Sequence, residues 1–235
     1  MSGIFNQCSY LKIFPDISKW NISNVKDISS MFENCSGVLI FPELNNWDTS
    51  NIMNMSRFFL NCASLLYLPN ISNWKIDKVT DISYLFSGCL SLSSLPDISK
   101  WKTDEIVNME SLFSFYKNLK DLPEISKWNT KNVENMNCLF LCCSSLKCLP
   151  DISKWDVSNT ISKYGIFFGC SSILSFPDIS NWSTENVFYM SNMFADFNNK
   201  DFQKMKNSLS EVLEKNKKTI KIFNPNQYYS FNFIF

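Results

Sequence analysis

Hydrophobic residues return along this chain at a fixed interval of 27 positions. Tryptophan is the clearest case, at Trp20, Trp47, Trp74, Trp101, Trp128, Trp155 and Trp182. Phenylalanine, proline, cysteine and several aliphatic residues keep the same interval between the tryptophans. A period this strict, without insertions, predicts one supersecondary unit that is copied and stacked into a solenoid, where each coil buries its neighbours' apolar edges.

The spacing inside one repeat predicts short elements. Apolar positions fall about every third residue, as at Leu146, Leu149, Ile152 and Trp155. This spacing fits neither the alternation of a strand nor the 3.6-residue period of a helix. It favours a coil of short strands and tight bends. Residues 132–136 are typical of a short strand, and the i, i+4 spacing within 31–35 predicts one helical or 3₁₀ turn.

The sixth repeat departs from the pattern. Thr160 stands where the other repeats carry valine or isoleucine, and Ile161 follows one position late. Lys163 occupies a column that otherwise favours methionine. One extra residue in a strand is the signature of a bulge, so the pattern is compatible with a bulge here. Sequence drift and a bend in the stack are the alternatives, and the sequence does not decide among them.

The repeats predict two regions, a solenoid over 1–197 with a truncated first repeat and a C-terminal capping segment over 198–235. Because the chain begins inside a repeat, it is either a fragment of a longer protein or an array whose truncated first coil is itself the cap, and we expect the fragment. The apolar face of 201–217 predicts a helix, and 220–235 reads as strand, turn, strand. This segment either caps the solenoid or forms a dimer contact, so the oligomeric state stays open.

Charge and composition exclude several functions. The chain carries 22 acidic and 22 basic residues, Arg57 is the one arginine, and histidine is absent. A balanced chain with one arginine disfavours nucleic-acid binding, because arginine is the preferred reader of phosphate and guanine. Without histidine, a nucleophile–base pair or a phosphate loop, we expect neither an enzyme nor a cofactor. The apolar tail is too short to span a membrane.

Cysteine usage bears on the redox compartment. Six of the nine cysteines form a repeat column, at Cys8, Cys35, Cys62, Cys89, Cys143 and Cys170, which Tyr116 interrupts. We interpret the column as small buried thiols. A zinc set of Cys138, Cys142, Cys143 and Cys148 lacks the spacing of known zinc sites, and disulfides between stacked coils stay possible. The odd count weakly favours a reducing compartment.

One motif carries a family resemblance. Asn132, Val133, Met136, Phe140, Cys143, Leu146, Leu149, Pro150 and Trp155 mark it, and it recurs in every repeat. The motif resembles the BspA-like leucine-rich-repeat surface proteins, in the branch shared with mycoplasma surface lipoproteins. The resemblance implies a leucine-rich-repeat-like solenoid and adhesion or protein binding at a cell surface or after secretion. A cytoplasmic location is the alternative.

A charged stripe is the candidate interaction surface. It consists of the acids after the proline column and the lysines three residues later: Asp16, Glu43, Asp97, Glu124, Asp151, Asp178, Lys19, Lys100, Lys127 and Lys154. The acids either cap bends through backbone N–H groups or form a flat ligand face; a row of weak calcium sites is a further reading. A β-branched column that includes Thr49, Thr103 and Thr130 could bind ice or a polymer, but isoleucine and valine interrupt it, which favours a structural use.

Two functions remain. The first is a non-enzymatic interaction or adhesion scaffold that presents a repeated flat face to a protein or glycan partner. The alternative is an intracellular structural or regulatory repeat protein, which the free cysteines favour.

Overall fold

The computed structural model describes residues 1–183, 185–189 and 192–194. These residues form the predicted solenoid, in which one coil of 27 residues stacks on the next. The boundary at 197 and the capping segment over 198–235, with its expected helix and strands, lie outside the described residues.

Two ladders of isolated parallel bridges connect the coils. The first bridge ladder joins Ile13 to Ile40 and Tyr67, and continues later with Cys148 and Ser175. The second bridge ladder is longer and runs through Asp27, Asn54, Asp81, Asn108, Asn135, Ser162 and Tyr189. Each bridge joins residues 27 positions apart, so the sequence period is the structural period. The strands expected at such positions are reduced to single bridges, because the backbone bends away after each one.

The segment after the second bridge ladder corrects the helical prediction. In the described residues no helix forms, and 28–38 with its equivalents is a run of overlapping turns, the turn ribbon. The N–H of Met31 donates to the carbonyl of Ile28, while the N–H of Ser30 donates to Ser56 in the next coil. Ser30 and Asn34 have positive φ values of 55° and 60°, which a right-handed helix excludes. Alternate N–H groups are therefore drawn to the neighbouring coil.

The tryptophan column links the coils as well as filling the core. From Trp47 to Trp182, each indole Nε1–H donates to a backbone carbonyl 30 residues earlier, at 3.0 to 3.3 Å. The rings of Trp47 and Trp74 stack with an interplanar angle of 3°. Trp47 and its later equivalents are at most 4% exposed. Each tryptophan therefore satisfies its own polar group while burying a large apolar surface.

The cysteine column uses the same device on the turn ribbon. The thiols of Cys35, Cys62, Cys89, Cys143 and Cys170 each donate to the carbonyl of a phenylalanine 30 residues earlier. Tyr116 interrupts this column; its hydroxyl is buried and has no hydrogen-bond partner among the described residues. Burial holds the pKa of the Tyr116 phenol well above its usual value.

The bulge interpretation of the sixth repeat is wrong. Thr160 occupies the buried aliphatic column and donates its hydroxyl to the carbonyl of Val133 at 2.8 Å. Because this bond satisfies the threonine, Ile161 stays in the exposed column and the second bridge ladder continues through Ser162. Lys163 stays in the methionine column, fully buried, with its ammonium group bonded to three backbone carbonyls.

Candidate interaction surface

The charged stripe predicted from the sequence is exposed along the described solenoid. Its acids are used by the backbone: Asp97 Oδ1 accepts the N–H of Ser99 at 2.9 Å, and Glu124 Oε1 accepts that of Ser126. Asp16, Asp151 and Asp178 each accept the N–H of the residue two positions ahead. Glu43 does not make this bond. The four lysines of the stripe are exposed in the same coils as the acids. The Ser99 hydroxyl and N–H lower the pKa of Asp97. This geometry favours the capping interpretation of the acids.

Polar residues cap two further bends in most of the coils in the same way. Asp48 accepts the N–H of Ser50, and Asp156 accepts that of Ser158. At the second bridge ladder, Asp81 accepts the N–H of Ser83 at 2.8 Å. Periodic Asp and Asn residues are therefore mostly turn formers here, because a short side-chain oxygen reaches the backbone two residues ahead.

The β-branched column is not a binding surface. Thr49, Thr103 and Thr130 are each 1% exposed, and their hydroxyls donate to the next coil's backbone carbonyls. The polymer-binding interpretation of this column is wrong, because the column faces inward.

An open groove runs across the coils of the described solenoid, lined by residues that lie shortly after the charged stripe in each coil. It encloses about 610 Å³ and crosses five successive coils. Two columns line it: Glu105, Asn132, Asn159 and Asn186 on one side, and Thr80, Val107, Glu134, Ile161 and Phe188 on the other. Ile161 is 42% and Phe188 is 77% exposed. The groove therefore combines acceptor oxygens with exposed apolar side chains.

Bonds between coils set the orientation of the groove's asparagines. The amide nitrogen of Asn132 donates to the carbonyl of Asp104 at 2.7 Å. Asn159 and Asn186 make the equivalent bond to the preceding coil at 2.8 Å. The three amides are thus anchored through their nitrogens in one register, stacked about 4.8 Å apart as coils at strand spacing are.

The groove is not indicated by the regular columns of the sequence. Its second column changes at every coil, through Lys26, Met53, Thr80, Val107, Glu134, Ile161 and Phe188. The columns of Val133 and Met136 are apolar in every coil except at Thr160 and Lys163. A variable position between two apolar columns was the signal available, because an exposed side chain is not constrained by the next coil.

A second apolar surface lies on the first bridge ladder. Ile13, Ile40 and Tyr67 stand in adjacent coils and are 82%, 58% and 62% exposed. Tyr10 and Leu39 extend it. Further along, the column turns polar at Asp121 and Ser175. Contiguous exposed apolar residues of this kind often mark interaction surfaces.

No disulfide joins cysteines within the part of the chain that the structure describes. Cys35, Cys62, Cys89, Cys138, Cys143 and Cys170 are buried, and burial raises the pKa of Cys138 to about 12. Cys148 is exposed beside Asp121. Among the described residues no group of three or more potential ligands is placed to hold a metal ion, so the four cysteines of the zinc alternative do not converge.

The coil geometry defines the chain as a leucine-rich-repeat-like solenoid. The particular family follows from sequence comparison: the chain belongs to the family described as Mycoplasma protein of unknown function, DUF285, which matches residues 38–123 and 114–231. The resemblance to the mycoplasma branch of the leucine-rich-repeat surface proteins is thereby confirmed. No curated protein matches the chain.

Three solved structures are similar to the chain. A leucine-rich repeat protein from Bacteroides ovatus shares 23% identity over 68% of this chain and 36% of its own length, with a TM-score of 0.44. The Treponema pallidum leucine-rich repeat protein shares 12% identity over 84% and 79%, with a TM-score of 0.39. A leucine-rich cell surface protein from Faecalibacterium prausnitzii shares 15% over 88% and 78%, with a TM-score of 0.29. This chain thus spans about a third of the Bacteroides protein.

No helix among the described residues has the length and apolar character needed to cross a membrane.

Proposed function

We propose that the chain is a non-enzymatic binding scaffold that holds a protein or glycan partner on its repeated outer face, in adhesion at a cell surface. The observation that carries the proposal is the groove, whose side chains vary from coil to coil while the scaffold beneath them does not. Concave surfaces with apolar walls and a few oriented polar groups are the usual sites of recognition. Stacked repeats provide a long surface of this kind.

The charged stripe is a second part of this proposal. Its carboxylates are largely engaged by the backbone, so its four lysines, Lys19, Lys100, Lys127 and Lys154, carry what remains for a ligand. Exposed lysines on a regular spacing attract acidic partners, although each exposed pair contributes little. The groove and the stripe therefore make opposite demands on a partner's charge.

Array binding tests the proposal and separates the two surfaces. The intact chain is applied to peptide and glycan arrays, beside a groove variant (V107S/I161S/F188S) and a stripe variant (K100S/K127S/K154S). Both variants change surface residues, so circular dichroism should match the parent. We expect ligands that the groove variant loses and the stripe variant keeps. Binding that neither variant alters, or no binding at all, would refute the scaffold function at these surfaces.

The free thiols favour the intracellular alternative, a structural or regulatory repeat protein. Unpaired buried cysteines are typical of proteins that fold in a reducing compartment. Labelling of intact cells with a membrane-impermeant amine reagent distinguishes the two locations. The adhesion proposal expects the exposed lysines to be labelled on intact cells, and labelling that requires lysis supports the alternative.

A further inference from the structure

The groove's polar groups are weighted towards hydrogen-bond acceptors. Among its nine lining residues the charged side chains are two carboxylates, Glu105 and Glu134, and none is cationic. The hydroxyl of Thr80 donates to the carbonyl of Met53 at 3.3 Å. Its proton is thus already engaged within the solenoid. An occupant that supplies donors and positive charge complements such a lining.

An internal contact shows what this column binds. Asn51 stands in the same column as Asn132 and Asn159, one coil before the groove's first lining residue, Thr80. Its amide nitrogen donates to the carbonyl of Ser23 at 2.8 Å, which is the anchoring bond of the groove asparagines. Its Oδ1 accepts the ammonium group of Lys78 at 2.8 Å. An asparagine held this way therefore presents its oxygen to a cation.

The same register repeats this acceptor along the groove. Asn132, Asn159 and Asn186 carry the anchoring bond, and none of them is followed in its column by a lysine as Asn51 is. The solenoid thus pairs Asn51 with its own lysine, whereas Asn132 and Asn159 are followed in the column by Asn159 and Asn186, and no lysine of the described residues donates to their oxygens. Glu105 and Glu134 lie beside them and add negative charge.

The apolar wall limits the class of cation. Ile161 and Phe188 are exposed next to the amide row. The methylene stems of lysine and arginine cover such surfaces while their charged ends reach oxygen acceptors. A small inorganic cation would leave this wall uncovered, whereas a basic peptide covers it.

We propose that the groove binds an extended, lysine- or arginine-containing segment of a partner protein. The ammonium or guanidinium groups donate to the oxygens of Asn132 and Asn159 and to the carboxylates of Glu105 and Glu134. The aliphatic stems and intervening apolar residues pack on Ile161 and Phe188. This inference rests on the proposed scaffold function and specifies the partner's chemistry.

Fluorescence anisotropy with the intact chain tests the inference. The probe is a fluorescein-labelled peptide in which lysine alternates with valine and serine, and its matched control carries glutamate in place of lysine. We expect the lysine peptide to bind and the glutamate peptide not to bind. The E105Q/E134Q variant should weaken binding about tenfold, or about 1.4 kcal/mol. Added salt should weaken it further, because the charges are exposed.

Two controls make the result specific to the groove. E33Q removes an acidic charge from the turn ribbon, outside the groove, and should leave the affinity unchanged. F188S should weaken binding of the lysine peptide without altering its salt dependence, since it removes apolar contact alone. Equal binding of the two peptides, or equal losses in E33Q and E105Q/E134Q, would overturn the inference.

Other occupants give different results. A neutral oligosaccharide could bind in the groove, with an affinity that F188S weakens and E105Q/E134Q leaves unchanged. That result would overturn the basic-peptide inference while supporting the scaffold function. A second copy of the chain in the groove would appear in light scattering as a dimer that F188S dissociates, and it too would overturn the inference. Failure of every array ligand at the groove would remove the scaffold function itself.

Discussion

Two neighbouring parts of the fourth coil differ in how they use exposed residues. Residues 97–101 belong to the charged stripe and end at a buried tryptophan, while 105–107 belong to the groove. The first part is nearly the same in every coil, and its carboxylate is bonded to the backbone. In the second part only the last position changes at every coil, and Glu105 and Val107 both line the groove. Polar side chains that are bonded to their own bend therefore maintain the coil, whereas side chains that line the groove are available to a ligand.

The largest expected effect on stability comes from a substitution in residues 97–101, the part that is nearly the same in every coil. Trp101 is 4% exposed, stacks on Trp128 at 6.3 Å and donates to the carbonyl of Ile71. Trp101→Ala should lower the free energy of unfolding by about 3–5 kcal/mol, because it opens a cavity and leaves a carbonyl without its donor. Urea denaturation followed by circular dichroism measures this. Val107→Ala, in the groove, should stay within about 0.5 kcal/mol; similar losses in both would contradict the comparison.

Lys163 tests how much a polar residue costs in a buried column that otherwise holds apolar side chains. Burial lowers the pKa of Lys163 to about 8, from 10.5 for the exposed group. Three backbone carbonyls accept hydrogen bonds from its ammonium group, and no carboxylate of the described residues forms an ion pair with it. Because the folded state binds the proton less tightly, the free energy of unfolding should rise from pH 8 to 10.5. Below pH 8 the cost of charging the buried amine is fully present.

Lys163→Met removes this pH dependence and restores the residue of the column. It should stabilise the fold below pH 8 by on the order of 2–3 kcal/mol, with the gain shrinking as pH rises towards 10.5. The measurement is urea denaturation of both proteins over that range, and subtracting the two profiles removes the titration of tyrosines and other lysines. If the free energies of unfolding of the two proteins changed with pH in parallel, burial would not have lowered the pKa of Lys163.

A smaller effect is expected at the stripe acid. Asp97→Ala removes the side-chain acceptor of the Ser99 N–H and should lower the thermal midpoint by roughly 1–3 °C. Asp97→Asn should be nearly neutral, because Asn70 makes the same bond to Ser72 in the preceding coil. Since the pKa of Asp97 is lowered in the fold, the aspartate's contribution should be lost as pH falls through that lowered pKa. Equal losses in both variants would contradict the capping role.

The smallest effect on stability falls in the groove. Phe188 is 77% exposed, so F188S should change the free energy of unfolding by less than about 0.5 kcal/mol. The same variant should bind the groove's ligand more weakly, because the groove loses the apolar side chain of Phe188. A large loss of stability would place Phe188 among the structural residues and weaken the distinction between the two parts.

Much of the architecture was predictable from residue spacing. The tryptophan interval predicted the period, and the buried identity of Trp101, Ile98 and Leu92 followed from their phase. The helical turn within 31–35 was wrong, since an i, i+4 pair of apolar residues also results from turns that alternate their N–H bonds between coils. The bulge near Ile161 was wrong, because a buried threonine can be satisfied by a carbonyl of the preceding coil.

The candidate surface was less predictable. The stripe acids were identified as exposed, and the bond of Asp97 to Ser99 agrees with the capping interpretation. The groove was not predicted, although Asn132 stood in the motif that carried the family resemblance and Glu134 lies two residues after it. A concavity depends on how residues of five coils are placed side by side, and no spacing within one coil specifies it.

The sequence by itself determined the period, the buried columns and the membership of a repeat family, because stacking identical coils forces identical residues into register. The tertiary structure decided which polar positions are free to act. It turned the threonine column inward, engaged the stripe acids with the backbone, and buried Lys163 among carbonyls. It also left Glu105, Glu134 and Phe188 along an open groove. The physical reason is that side-chain partners lie about 30 residues away, in the preceding coil, and come into contact when the coils stack.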